Sequence, residues 1–288
     1  HPPPRKRFSE SCEIEEIQLK PGQIVVVPLS QHIGAPCEAA VEKKMQVIAG
    51  QVVGKSDAFV SAPVFSPVNG TVKDVSPQPV GTGGKVLSVV ITVGEEKPQT
   101  LAWKELKEDF DINSVESESI VDSIRQAGIV GQGGAAFPTA VKLVKNPNKP
   151  IDTIILNGCE CEPYLTSDHR LMLEATQPMV AGLQLAMRAA GAEKGIIAIE
   201  DNKPDAINKV MQVIRELDNI QLAICKTKYP QGGERQLINA VLKRVVPTGG
   251  LPLDVGVVVV NAGTASAIYW ACAEGRPLTE RIVTVTGA

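Results

Sequence analysis

The sequence predicts an α/β protein, with a parallel-sheet, Rossmann-like domain preceded by a small all-β domain. Three observations carry this. Between residues 22 and 94 the apolar runs are short and punctuated by Pro and Gly, the pattern of strands and turns. From about residue 117 near-continuous apolar runs alternate with helical segments, as in a parallel sheet covered on both faces. The length of 288 residues, 43% hydrophobic and 21% charged, is enough for two cores.

Residues 1–21, rich in Pro, Arg, Lys and Glu, read as an extended arm. Residues 22–97 form the β domain, with strands expected at 24–29, 47–53, 64–75 and 86–93 and a turn at Asn69-Gly70. Residues 45–53, 62–63 and 70–72 resemble the barrel-sandwich hybrid of lipoyl and biotinyl carriers. Those carriers present a modified Lys on a hairpin. Here the connection from Gly50-Gln51 to Ala62-Pro63 is short, and Gly54-Lys55-Ser56 is not a carrier motif. The domain therefore reads as an unmodified structural barrel.

A polar link at 95–115 leads into the α/β domain, taken as residues 98–280. A helix at 117–127 precedes the glycine-rich stretch 128–136. Strand 151–156 is followed by helices at 168–175 and 178–190, the second with Pro178 near its first turn and Gly191 as its stop. Strand 194–200 leads to a helix capped by Asn202 and running to 217. Then come strand 221–227, helix 234–244, strand 255–260, a loop at 261–263 and helix 264–273, closed by Gly275. Residues 281–286 are expected to start another strand.

Several classes of function are disfavoured. A net charge of -3 gives no nucleic-acid footprint. No run reaches the roughly 20 apolar residues of a direct membrane span. Cys12, Cys37, Cys159, Cys161, Cys225 and Cys272 form neither a CxxC pair nor a cluster-binding run, and His32 and His169 are isolated, so no metal ligand set is read. Scattered thiols suit a reducing compartment. No GxSxG elbow supplies a nucleophile.

Ligands of open parallel sheets bind beyond the carboxyl ends of the strands. The segments there are 157–163, with Asn157, Glu160 and Glu162; 229–234, with Tyr229, Gly233 and Glu234; and 261–264, with Asn261 and Thr264. Glu160 and Glu162 could also be an acid/base pair, on spacing alone. Gly131, Gly133 and Gly134 lie in a GxGxxG/A pattern, but it follows a helix where an ordinary nucleotide loop follows a strand. Such glycines let backbone approach something flat or phosphorylated; the other reading is a tight turn between two helices. Pro138 and Thr139 open a short helix whose N-terminus favours an anion, and Lys142 adds a positive charge.

The motif GIVGQGGAAFPTAVKL at 128–143 closely resembles the flavin loop shared by the C subunits of the Rnf complex and the flavin-bearing subunit of respiratory complex I. LNGCECEPY at 156–164 with DHRLM at 168–172, PLSQHIGAP at 28–36, KYPQGGERQL at 228–237 and NAGTA at 261–265 resemble further Rnf C motifs, in order along nearly the whole chain. The resemblance implies noncovalent FMN with NAD(H) as substrate over it, and hydride exchange that needs no catalytic side chain. Carried over by position, Gly131, Gly133, Gly134, Lys142, Asn157, Cys159, Glu160, Gly233, Glu234, Asn261 and Thr264 would surround the flavin. Phe137, Glu162 and Tyr229 would meet the nicotinamide nucleotide. Three departures stand out: Ala136 replaces a common glycine, Gln132 stands at a complex I arginine, and Cys159 stands at a complex I aspartate.

The family also implies a ferredoxin:NAD oxidoreductase coupled to ion translocation. The subunit would be peripheral on the cytoplasmic face of the cell membrane, bound to the other Rnf subunits and reaching ferredoxin through them. Family members continue into a β-grasp segment and a tail with two 4Fe-4S clusters. Residues 281–288 are thus expected to open the β-grasp segment, with the iron–sulfur tail absent and no cluster ligated here. The rival expectations are a docking scaffold and a protein like the A subunit of the sodium-pumping quinone reductase, without flavin.

Overall fold

The computed structural model describes residues 12–81, 83–98 and 101–286. Residues 1–11 of the expected arm lie outside the described residues. Residues 12–20 run without helix or strand, and Ile14 N donates to Glu174 Oε1 (2.9 Å) on the α/β domain.

The first domain is a two-sheet sandwich. Strands β1 (Ile24–Pro28), β3 (Gln46–Val47), β6 (Gly70–Pro79) and β7 (Lys85–Val93) form one antiparallel sheet in the order β1-β7-β6-β3. Strands β2 (Glu38–Ala39), β4 (Val52–Lys55) and β5 (Val64–Phe65) form the other. Val27, Leu29, Val47, Val53, Val64, Val72, Val89 and Ile91 fill the space between them. Two expected strands are each broken. In the 47–53 run the chain turns at Gly50 (φ +83°), so Val47 pairs with Gly70 in one sheet and Val52 with Phe65 in the other. In the 64–75 run Ser66 Oγ donates to Val68 O (2.7 Å), and the chain crosses between sheets before Gly70. An apolar run that changes sheet keeps its hydrophobicity, so periodicity alone does not show the corner.

The second domain begins with α1 (Ser117–Gln126) and the short α2 (Thr139–Leu143). Strands β8 (Thr153–Gly158), β9 (Lys194–Glu200), β10 (Ile220–Cys225) and β11 (Val257–Asn261) form a wholly parallel sheet in the order β10-β9-β8-β11. One face packs on α1, α3 (Ser167–Glu174), α4 (Thr176–Ala190), α5 (Pro204–Ile214) and α7 (Ala262–Glu274), through Ile154, Leu156, Ile197, Ile199, Val258 and Val260. The other is covered by α6 (Glu234–Leu242) and the 3₁₀ turn Pro252–Val255, over Ile155, Ile196, Ala198, Val257 and Val259. The alternation of strand side chains between two apolar faces is why these segments read as continuous apolar runs.

Helix ends follow local chemistry. Gly191 and Gly275 close α4 and α7 in the left-handed conformation. Asn202 does not cap α5: the helix opens at Pro204, and the Asn202 side chain accepts from Lys203 Nζ (2.9 Å). Lys203, fully buried against Glu200 (3.2 Å), occupies the cap position instead, with no side-chain capping bond. The expected loop at 261–263 does not form: Asn261 ends β11 in extended geometry and itself caps α7, which begins at Ala262. Residues 281–286 form no strand; Arg281 and Thr284 make contacts around the cleft described below.

The domains meet at the root of the glycine stretch. Gly128 (φ +63°) lies so close to the sandwich that a Cβ there would stand 2.6 Å from Pro63 O and 2.7 Å from Phe65 Cε2. Leu278 N donates to Ala127 O (2.9 Å) beside it. Among the described residues no helix is long and apolar enough to cross a membrane.

Candidate functional site

In chain order the parallel strands lie 3-2-1-4, so the direction of winding reverses between β8 and β11. A crevice opens at the carboxyl ends of such a pair. Asn157 and Asn261 are register partners at those ends. Asn157 Nδ2 donates to Gly232 O (2.8 Å), and its Oδ1 accepts from Cys159 N (3.1 Å), fixing the loop before α6. Asn261 Oδ1 accepts from Gly263 N (2.9 Å) and Thr264 N (3.4 Å), and its Nδ2 donates to Asp168 Oδ2 (2.6 Å). Two amides thus hold three loops around one cleft.

The glycine loop forms the opposite lip. Gly131 N donates to Phe137 O (2.9 Å) and Thr139 N to Ile129 O (2.9 Å), closing the loop at its base. Gln132 N donates to the buried Thr264 Oγ1 (2.9 Å), and Gln132 Nε2 to Gly263 O (3.3 Å), pinning its tip to α7. Gly133 lies against Asn261, where a Cβ would stand 2.7 Å from Nδ2. Beside it, Gly134 has no atom within 4 Å of where its Cβ would be.

The cavity between these parts is about 490 Å³. Gly133, Asn157, Glu160, Glu162, Tyr229, Gly233 and Asn261 line it, together with Gln132, Cys161, Asp168, Gly232 and Arg281. Glu160 accepts from Asp168 N (2.8 Å), His169 N (3.3 Å) and Ser167 Oγ (3.3 Å), so its carboxylate sits on the positive end of α3. Burial, and then the neighbouring Glu160 carboxylate, push the Asp168 carboxyl up to about 7, against the Asn261 hydrogen bond and the charges of Lys203 and Arg281. Glu162, by its charge and a hydrogen bond, raises the Tyr229 phenol at the exposed rim.

Other expected site residues lie elsewhere. Cys159 is fully buried beneath the sheet end, its thiol directed to Ala198 O (3.6 Å). A hydrogen bond with Cys225, and then burial, push that thiol's pKa up. A side chain following Gly158 alternates into the core, so Cys159 does not face the cleft. Lys142 Nζ reaches Glu234 Oε1 (2.7 Å) and Val259 O (3.4 Å), and neither residue of that pair lines the cavity. Gly131, Phe137 and Thr264 shape the loop without lining the cavity. Asp168 was legible only as part of the 168–172 motif. Arg281 carried no local signal, since the fold returns it to the cleft from the far side of α7.

Comparison with known proteins places these features in a family. Residues 124–270 match the Nuo51 FMN-binding domain, and residues 1–96 match the RnfC barrel sandwich hybrid domain. The chain is 44% identical over 287 residues to the C subunit of the Na(+)-translocating ferredoxin:NAD(+) oxidoreductase complex of Acetobacterium woodii, covering 100% of this chain and 64% of that protein. It is 43% identical to the C subunit of the proton-translocating complex of Clostridium ljungdahlii, covering 100% of this chain and 62% of that protein. The chain therefore spans less than two thirds of the length of these curated relatives. A chain of an NAD+-reducing [NiFe]-hydrogenase aligns with TM-score 0.48 and 25% identity over 55% of this chain and 31% of that one. With a match over residues 124–270, just over half of its length, the chain belongs to the Nuo51 FMN-binding domain family, and its first 96 residues are similar to the RnfC barrel sandwich hybrid domain.

Proposed function

We propose that the cleft between the glycine loop and the ends of β8 and β11 binds FMN, and that NAD(H) exchanges hydride there. The observation that carries this is the convergence of the glycine loop, Asn157 and Asn261 on one cavity, in a domain matched to a flavin-binding family. The residues fit the group. A volume of about 490 Å³ lies within the roughly 300–1,000 Å³ of small-molecule sites. The backbone at Gly134 is open, so a flat ring can approach it. Amides and carboxylates around the cavity suit a polar heteroaromatic edge.

FMN, when bound, supplies the exchange between a two-electron hydride and single electrons. The chain's own residues orient and enclose. Gly133, Asn157, Glu160, Gly233 and Asn261, with the open backbone at Gly134, would hold the flavin, while Gly131 would act by closing the loop and Thr264 through Gln132. Phe137, Glu162 and Tyr229 would position the nicotinamide nucleotide. Lys142 and Glu234, held on each other, would brace α2 against α6, and Cys159 would belong to the core. No side-chain acid or base is required for the hydride itself.

The names of the relatives extend the reading to the whole protein. It would be the peripheral NADH-oxidising or NAD-reducing subunit of an ion-translocating ferredoxin:NAD oxidoreductase, on the cytoplasmic face of the membrane. Electrons would pass to 4Fe-4S clusters in the longer protein, and ferredoxin would be reached through the other subunits. The test is titration of the chain with FMN, then anaerobic NADH addition while flavin absorbance is followed. Bleaching of bound flavin is expected. A chain that binds neither FMN nor NADH would leave a docking role in front.

A further inference from the structure

The cavity walls carry three carboxylates, Glu160, Glu162 and Asp168, and among the described residues that line it the only cation is Arg281. Lys142, the cation expected from the sequence, is occupied by Glu234 at 2.7 Å outside the lining. Lys203 is fully buried on Glu200. An anion entering this cleft would therefore meet a repulsive wall unless Arg281 offset it.

Arg281 is also held in place to do so. The segment carrying it packs from Pro277, beside Gly50 of the sandwich, past Leu278 on Ala127. Thr166 N donates to Thr284 Oγ1 (3.0 Å), fixing the segment's other side to the loop before α3. Ile282 lines the cavity and packs on the main core. Between these anchors the guanidinium reaches across to Gln132 O of the glycine loop. That contact uses one of five N–H donors and leaves the rest of the fork, which suits phosphate oxygens.

We infer that Arg281 is the phosphate-binding residue of the cleft, taking either the phosphate of the flavin or the pyrophosphate of the nicotinamide dinucleotide. The inference rests on the proposed flavin site. It assigns to the segment after α7 a direct role in binding that the glycine loop and the strand ends do not fill.

The test compares ligands with and without phosphate in the parent chain, Arg281→Gln and Arg281→Lys. Flavin binding is read by fluorescence titration with FMN and with riboflavin. Dinucleotide binding to the FMN-loaded chain is read with NADH and with dihydronicotinamide riboside. For a flavin-phosphate contact, Arg281→Gln weakens FMN about ten- to a hundredfold and spares riboflavin. For a pyrophosphate contact, it weakens NADH by a similar factor and spares the riboside. Arg281→Lys, which keeps the charge without the fork, falls between parent and Gln. Equal losses for phosphate-bearing and phosphate-free ligands, or no loss for any, overturn the assignment while the flavin site stands. A parent chain that binds neither flavin nor dinucleotide overturns both.

Discussion

Asn261 bridges the two sides of the cleft: its Oδ1 caps α7 while its Nδ2 holds Asp168 on α3 at 2.6 Å. One side chain therefore fixes the angle between two helices and keeps the Asp168 carboxyl beside Glu160, away from full solvation.

That placement makes stability depend on pH. The ordinary Asp168 value is 3.8, and the folded value is raised to about 7, so between these the folded chain keeps a proton that the unfolded chain releases. The contribution is fully present below about pH 4 and is lost as pH rises through about 7. Asp168→Asn, which mimics the protonated carboxyl, should match the parent near pH 4. At pH 8 it should be more stable by on the order of 1 kcal/mol or more. Urea midpoints at several pH values measure this; parallel curves for the two proteins would show that Asp168 does not titrate in this range.

Gly133 and Gly134 should separate packing from ligand contact. Gly133→Ala places a methyl 2.7–2.9 Å from three Asn261 atoms. Stability should fall by about 1–3 kcal/mol, with loss of flavin affinity. Gly134→Ala meets no protein atom, so its stability should stay within about 0.5 kcal/mol of the parent. A loss of FMN affinity in Gly134→Ala would then come from the ligand side. Thermal unfolding paired with flavin titration distinguishes the two.

Ala136 sits in the left-handed region at φ +51°, where a Cβ costs about 1–2 kcal/mol. Glycine removes that cost but loses about 0.5–1 kcal/mol to chain entropy. Ala136→Gly is expected to raise stability by roughly 0.5–1 kcal/mol. A lowered urea midpoint would mean that the methyl makes packing contacts worth more than the strain.

Lys203 and Glu200 are both fully buried, 3.2 Å apart. Removing the cation alone, as in Lys203→Met, should destabilise by about 3–5 kcal/mol, because a buried carboxylate loses its countercharge. The double variant Glu200→Leu/Lys203→Met should recover much of the loss. Equilibrium denaturation of the three proteins decides it, and additive losses would contradict the coupling.

Much of this architecture was legible because strand side chains packed on both faces leave uninterrupted apolar runs: β9 was readable to its ends at Lys194 and Glu200. The cleft was legible through Asn157, Asn261 and the glycines, whose residue types are dictated by capping and close approach rather than by burial. What escaped depends on long-range placement. Gly50 and Ser66 turn strands from one sheet to the other without changing their composition. Lys142 reads as a free cation until α6 brings Glu234 to it, and Cys159 reads as a loop residue until the parity of β8 turns it inward. Arg281 reaches Gln132 across 149 positions of chain, a distance over which no local pattern carries information.

The contact at Gly128 bears on how such proteins can be cut and recombined. The glycine loop is footed on Pro63 and Phe65 of the sandwich, with no room for a side chain between them. A chimera that exchanges the front domain while keeping the loop must carry this three-residue joint across as a unit. Residues 101–286 expressed alone would leave the loop standing on an exposed edge.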